Sequence, residues 1–523
     1  MAEQELFALG VAIAVAVIVG RVIANRLQLP QAIVLVILGA LASLIPGVPT
    51  IQLAPNVVLL LFLPPLIYNA AFLTAPRETR ENVIPISALA FGATMATVVV
   101  VAVVTRTLLP NLGWAPALAF AAAVAPTDAV SATSVLTRLG APQRIITILE
   151  GESLINDAVS LTVFGLALEA VTQPFTFGHG ILRVVEVVLG GVSYGVVMAL
   201  VVGRLRRLIR DPAIQVLVSL ITPYVAFIPA QGLGLSGVLA TVVTGAYLGT
   251  RADGLLQPAS RVAGTMFWRT LIFLVESTIF VLLGLDLRTI VEHLSGVHTV
   301  PWLMGAAAAV VAATIATRLG WELVVSPLSR LLPLPGSAFV RNPWRQRLVV
   351  GWGGMRGAIS LAIVFSLPAT LGGRPFEERT TLIFLAAAVV VATLLGQGLT
   401  LAPLLRVLGL SKTEERQRAE ATARVQVTEA GLARLDEMAE AGEVDESTAS
   451  MYRQLLELRL DRVRVALGDA SADDVVDTGR IRRQLVEAQR HKLNQLYQSG
   501  KISDQVRRSI SGTLDLQEQS PLH

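Results

Sequence analysis

Ala125-Pro126-Thr127-Asp128-Ala129 stands within an apolar run over 114–136, and Gly351-Trp352-Gly353-Gly354-Met355-Arg356-Gly357 stands within a second over 347–369. Proline removes a backbone donor and glycine weakens a helix, so each stretch interrupts its helix. Carbonyls and amides freed inside a bilayer are tolerated only beside protein or a water-filled cavity, which makes both breaks candidates for an ion path. Packing kinks would use the same residues, but the positions of the two breaks match.

Working outward, apolar runs at 6–23, 31–45, 57–73, 83–104, 114–136, 145–171, 181–202, 213–229, 235–249, 266–286, 302–325, 347–369 and 381–408 predict thirteen transmembrane helices. The breaks fall in helices five and twelve. A separation of seven reverses direction across the membrane, so six helices, a linker helix and six more make an inverted repeat with crossed discontinuous helices. Over half of the chain is apolar (53%) and only 15% is charged, the composition of a membrane protein. The fold class expected is therefore an all-α membrane protein with a transmembrane domain over 1–410 and a helical tail over 411–523.

The basic residues order this topology. All 25 before Lys412 are arginines, and alternate loops place 16 on one side and five on the other. The positive-inside rule then sets the N-terminus outside and the tail in the cytoplasm, in a multi-pass protein of the cytoplasmic membrane. This loop bias accounts for the pI of about 9.7 without a nucleic-acid partner. The first helix has no basic residue before it and reads as a retained span. From Ser411 onward 17 basic and 20 acidic residues alternate with Leu455, Leu458, Val465, Leu485, Leu493 and Leu496 at helical spacing, a soluble helical segment whose ligand, if any, is unreadable.

Cysteine is absent, and His179, His293, His298, His491 and His523 fall in loops or the tail, so no thiolate site or intramembrane histidine ligand is available. Gly232-Leu233-Gly234-Leu235-Ser236-Gly237 fits a nucleotide-binding glycine pattern but lacks a surrounding βαβ unit. Its Gly-Leu-Ser-Gly has no membrane histidine to activate the serine. The chain reads as a transporter rather than an enzyme, with no cofactor.

Charges at mid-membrane depth cost roughly 2.5–3.5 kcal/mol each and need a partner or a purpose. Asp128, Glu152, Asp157, Glu276 and Arg356 sit at that depth. In Gly151-Glu152-Ser153-Leu154-Ile155-Asn156-Asp157, the i, i+4 spacing puts Ser153 with Asp157 and Glu152 with Asn156. Ser153 and Asp157, with Thr127 and freed carbonyls, supply hard oxygen ligands for an alkali cation. Glu152 and Arg356 read as a structural ion pair, Asp128 as compensation for positive half-helix ends, and Asn156 as a packing amide. Glu276 either faces a water-filled cleft or pairs with Arg318. Asp157 has no basic residue at helical spacing, so it is the residue expected to carry the ion or proton.

These motifs, together with Phe62-Leu63-Pro64-Pro65-Leu66 and Gly354-Met355-Arg356-Gly357-Ala358, resemble in order and spacing the bacterial sodium/proton exchangers of the cation:proton antiporter superfamily, over residues 6–408. The resemblance implies a homodimer working by alternating access, exchanging Na+ or Li+ for H+ in pH and sodium homeostasis. It implies that Asp157, Ser153 and Thr127 hold Na+ and that Glu152 pairs with Arg356. Asn156 before Asp157 resembles the electroneutral subgroup, and Asn69 stands where relatives often carry an acid. A K+/H+ antiporter or a cation channel on the same scaffold is the alternative.

Overall fold

The computed structural model describes residues 3–27, 30–45, 55–74, 76–172, 177–295, 297–325, 343–371, 373–411, 413–467, 478–499, 501, 506–507 and 510–511. Arg330, Arg341 and His523 lie outside the described residues. The chain forms two compact units, Met1–Ser411 and Lys412–His523.

The first unit is almost entirely helical, because hydrocarbon supplies no partner for backbone polar groups and a helix satisfies its own. Its helices are α1 (Glu3–Leu27), α2 (Gln31–Ser43), α3 (Pro55–Leu73), α4 (Val83–Leu108, with a π-helical stretch at Ala88–Ala93), α5 (Trp114–Val124), α6 (Ala129–Arg138) and α7 (Gln143–Thr172). There follow α8 (Phe177–Leu208), α9 (Pro212–Gly232), α10 (Gly237–Thr250), α11 (Pro258–Ser295), α12 (Val300–Gly320), α13 (Trp344–Trp352), α14 (Ala358–Phe365) and α15 (Arg379–Val407). Among the described residues nine helical segments are long and apolar enough to cross a membrane, and three shorter apolar helices accompany them. A two-residue antiparallel pairing of Thr370–Leu371 with Arg374–Pro375 links α14 to α15.

Local chemistry sets the helix starts. Asp211 accepts from the Ile214 amide at 2.9 Å ahead of Pro212, and Ser236 accepts from the Leu239 amide at 3.2 Å, each satisfying a donor that the first helical turn leaves free. The interior is packed with small and branched side chains. Ala117, Ala119–Val124, Val98, Val101, Ala102, Val389 and Ala386 bury one core around α5, while Leu35, Ile145, Ile148, Leu283, Leu361 and Val390 bury another around α2, α7 and α11. Long apolar residues on the outside, such as Val99, Leu189, Val196 and Val201, stay exposed, as a lipid-facing surface requires.

The second unit carries α16 (Thr413–Glu440), α17 (Glu446–Leu467) and α18 (Thr478–Gln498). Gly442, at φ +70°, turns the chain between α16 and α17. Arg453 bridges back to Asp436 at 2.7 Å. Asp445 starts α17: its carboxylate accepts from the Ser447 hydroxyl, from the Thr448 hydroxyl at 2.7 Å and from the Thr448 amide at 3.1 Å. Those bonds, the Ser447 bond foremost, hold the Asp445 carboxyl down to about 2. A depressed folded value means the cap contributes fully above the ordinary carboxylate range and is lost as pH falls toward about 2. We expect Asp445→Ala to speed amide exchange at Ser447–Ala449 at neutral pH, with the wild type approaching the variant only as the solution is acidified. Hydrogen exchange on the full chain reads both.

Candidate ion-binding site

The site is built where two broken helices cross. Pro126 ends α5, and the chain runs without helical bonds to Asp128, which begins α6. Gly353–Gly357 separates α13 from α14 in the same way. The two gaps meet: the Asp128 amide donates to the Met355 carbonyl at 2.6 Å, and the Ser360 hydroxyl donates to the Pro126 carbonyl at 3.4 Å.

Crossing the breaks brings together two helix N-termini, of α6 and α14, and two C-termini, of α5 and α13. Each kind of end carries a partial charge. Asp128 serves the positive ends. Its carboxylate accepts from the Val130 amide at 2.9 Å, the Ser131 amide at 3.3 Å and the Ser131 hydroxyl. It also lies against Gly357, where a Cβ would fall 2.5 Å from a carboxylate oxygen, so only glycine lets α14 begin there.

Arg356 serves the negative ends. Its Nε donates to the Val124 carbonyl at 3.2 Å and its Nη1 to the Gly354 carbonyl, while its own amide donates to the Thr393 hydroxyl on α15 at 3.1 Å. The expected Glu152–Arg356 pair is therefore corrected. Glu152, fully buried on α7, is held by Arg318 of α12, whose Nη2 donates to Oε2 at 2.7 Å and whose Nη1 closes on Oε1. The physical reason is access. Gly354 has no side chain, and any Cβ there would collide with the Arg318 side chain. The guanidinium reaches Glu152 through that opening, while Arg356 is turned to the freed carbonyls. Arg318 is accordingly engaged by Glu152 rather than by Glu276.

Around this pair the oxygen ligands assemble. Asn156 donates through Nδ2 to the Thr127 hydroxyl at 2.8 Å, Thr127 reaches Glu152 Oε1 at 3.5 Å, and Ser153 donates to the Thr127 carbonyl at 2.7 Å. Asp157 sits beside them, 3% exposed, with Oδ1 lacking any hydrogen-bond partner among the described residues. Asn156 Oδ1 is likewise without a partner among the described residues, so two adjacent residues leave buried acceptor oxygens unsatisfied here. A cleft of about 190 Å³ opens from this point, lined by Thr127, Asp128, Ser153, Asp157, Glu276 and Asn69 among others. No basic residue lines it among the described residues, so a cation entering it meets carboxyl and hydroxyl oxygens and no competing positive charge.

A family model for the transmembrane sodium/hydrogen exchanger matches residues 12–407. The chain belongs to that family of transporters. An uncharacterized Na+/H+ exchanger of Mycobacterium tuberculosis is 31% identical over 97% of this chain and 95% of the relative. The low-affinity Na+/H+ antiporter NhaS1 of Synechocystis is 30% identical over 88% and 85%, and a sodium, potassium, lithium and rubidium/H+ antiporter of Bacillus pumilus is 30% identical over 75% and 60%. Among solved structures, the sodium proton antiporter MjNhaP1 of Methanocaldococcus jannaschii superposes with a TM-score of 0.60 at 19% identity, covering 77% of this chain and all of that one. The exchanger thus shares that multi-pass helical fold.

Two buried charges of this exchanger escape a reading by motif. Arg318 is weighed from sequence only as a partner for Glu276, because its neighbours in space cannot be listed along the chain, and Glu322, one helical turn further in the same run and 3% exposed on the π-helical turn Trp321–Val325, packs on Gly351. Both were detectable as charges inside an apolar run. The bidentate geometry yields a direct expectation. Arg318→Ala strands a buried carboxylate and should lower stability by about 3–5 kcal/mol. Adding Glu152→Gln should recover part of the loss. Thermal unfolding of the purified protein in detergent measures both, and an Arg318→Ala protein as stable as wild type contradicts the pairing.

Proposed function

We propose that this exchanger moves Na+, or Li+, against H+ across the cytoplasmic membrane by alternating access, with a 1:1 electroneutral stoichiometry, in pH and sodium homeostasis. The observation that carries the reading is Asp157: a buried carboxylate with an unpartnered oxygen at the end of an acidic cleft, beside the oxygens of Ser153 and Thr127. One carboxylate that takes either a proton or a cation ties the two fluxes together. Asn156 keeps Thr127 in place as a neutral amide.

The charge ledger supports electroneutrality. Glu152 is balanced by Arg318, and Asp128 and Arg356 by opposite half-helix ends, so among the charged residues at the crossing itself Asp157 is the group whose partner changes during the cycle, while Glu276 lines the cleft from α11. In the wider reading, thirteen crossings form inverted repeats around the crossed breaks. The arginine bias sets the N-terminus outside, so the cleft, which reaches Leu73 and Thr74 at the end of α3, faces the cytoplasm. A homodimer in lipid and a cytoplasmic tail complete the proposal. The name of the Bacillus relative favours a second reading, in which K+ is also carried.

Reconstitution into proteoliposomes with an imposed cation gradient, reading internal pH for Na+, Li+ and K+ in turn, tests the function. Asp157→Asn, close in shape but unable to titrate, should abolish exchange while the protein remains monodisperse. Cation-coupled pH change by that variant overturns the assignment. Competition for one carboxylate should also give a bell-shaped pH profile, falling at low pH where the proton holds the site and at high pH where protons are scarce.

A second expectation concerns voltage. Moving an unbalanced charge across the membrane couples transport to about 2.3 kcal/mol per 100 mV. A 1:1 cycle should give an end-point gradient that does not shift when potential is stepped with valinomycin at fixed ion gradients. A voltage-dependent null point would assign a second transported charge to Asp128 or Glu276.

A further inference from the structure

A second pocket, of about 170 Å³, lies away from the crossing at the end of α8 and α10, lined by Leu200, Gly203, Arg204, Arg207, Tyr247, Arg251 and Leu255. We propose that it binds the phosphate group of an anionic phospholipid.

Close helix packing makes the pocket. Gly195 lets α8 approach α10 until a Cβ would stand 2.7 Å from the Ala240 carbonyl, and Thr244 donates across to the Gly195 carbonyl at 3.1 Å. The two helices therefore finish side by side. On α8 the spacing i, i+3 aims Arg204 and Arg207 the same way, and on α10 the Tyr247 ring stacks with the Arg251 guanidinium at 4.4 Å.

Three guanidinium groups thus share one small pocket, and none makes an ion pair among the described residues. The nearby acids are occupied elsewhere. Asp211 caps α9, and Asp253 stands 3.8 Å from Arg261. Unpaired arginines converging on one pocket call for an anion with several oxygens, which planar guanidinium groups bind two at a time.

The level in the membrane selects the source. The apolar span Val185–Leu208 ends here, and Leu200, Leu205 and Leu208 are exposed beside the arginines, at 38%, 45% and 81%. Guanidinium groups next to an exposed apolar wall at the end of a span match a headgroup with its acyl chains. The volume suits a compact group rather than the roughly 300–1,000 Å³ of a drug-sized ligand.

The test uses the full chain in nanodiscs of phosphatidylcholine with one fifth phosphatidylglycerol, and native mass spectrometry of the lipid it retains. Wild type should retain phosphatidylglycerol in preference to phosphatidylcholine. Arg204→Gln, Arg207→Gln and Arg251→Gln together should lose that preference, at roughly fivefold per arginine. An equal-charge control, Arg26→Gln with Arg138→Gln and Arg210→Gln, should keep it.

Gly203→Leu separates a pocket from a diffuse basic surface. Its Cβ meets its neighbours at an ordinary 3.7 Å, so the helix tolerates it, and the side chain fills the pocket without removing a charge. It should also lose the lipid. Displacement of phosphatidylglycerol by millimolar inorganic phosphate, with phosphate bound equally in phosphatidylcholine alone, would keep the phosphate site but overturn the lipid as its source. Retention of phosphatidylglycerol by both the triple variant and Gly203→Leu overturns the proposal outright.

Discussion

Everything at the centre of this molecule depends on unpaired backbone in a medium that offers it no water. Two helices are broken inside the buried interior of the membrane unit, and each break leaves donors and acceptors whose burial would cost several kcal/mol apiece if left unmet. The crossing meets that demand twice over. The breaks bond to each other through Asp128 and Met355, and one acid and one base take up the opposite half-helix ends. A folded break of this kind holds its neighbours in register: Thr127 is fixed between Ser153, Asn156 and Glu152.

The same arrangement separates charges that hold the structure from a charge left over. Glu152 and Arg318 neutralise each other in a bidentate contact, and Asp128 and Arg356 are occupied by dipoles and hydrogen bonds. Asp157, on the same helix as Glu152, has neither kind of partner on Oδ1. A buried carboxylate in that condition is costly, which is the physical ground for the proposal that it takes an exchangeable ligand. The glycines at 354 and 357 permit both halves of the division. One lets Arg318 through to Glu152, and the other lets Asp128 lie against the start of α14.

Much of this was legible along the chain. Hydropathy runs mark the spans, because each must bury its own backbone and expose apolar side chains to lipid. The breaks at Pro126 and Gly353–Gly357 are visible as residue types that cannot continue a helix. The pairing of Ser153 with Asp157 on one helical face follows from the i, i+4 rule. The inconspicuous Arg204, Arg207 and Arg251 read only as part of a loop bias, since spacing along two separate helices says nothing of their meeting.

What the sequence by itself determined is therefore the inventory: helical spans, the two breaks, and which acids and arginines must be buried. Tertiary structure alone decided who meets whom. Glu152 sits at the same depth as two arginines, and sequence distance ranks neither. The choice of Arg318 over Arg356 rests on the missing side chain at Gly354 and on the carbonyls of Val124 and Gly354, which claim Arg356 first. Helical periodicity assigns a face within one helix, but the pairing of charges across helices is set by packing, which only the folded chain contains.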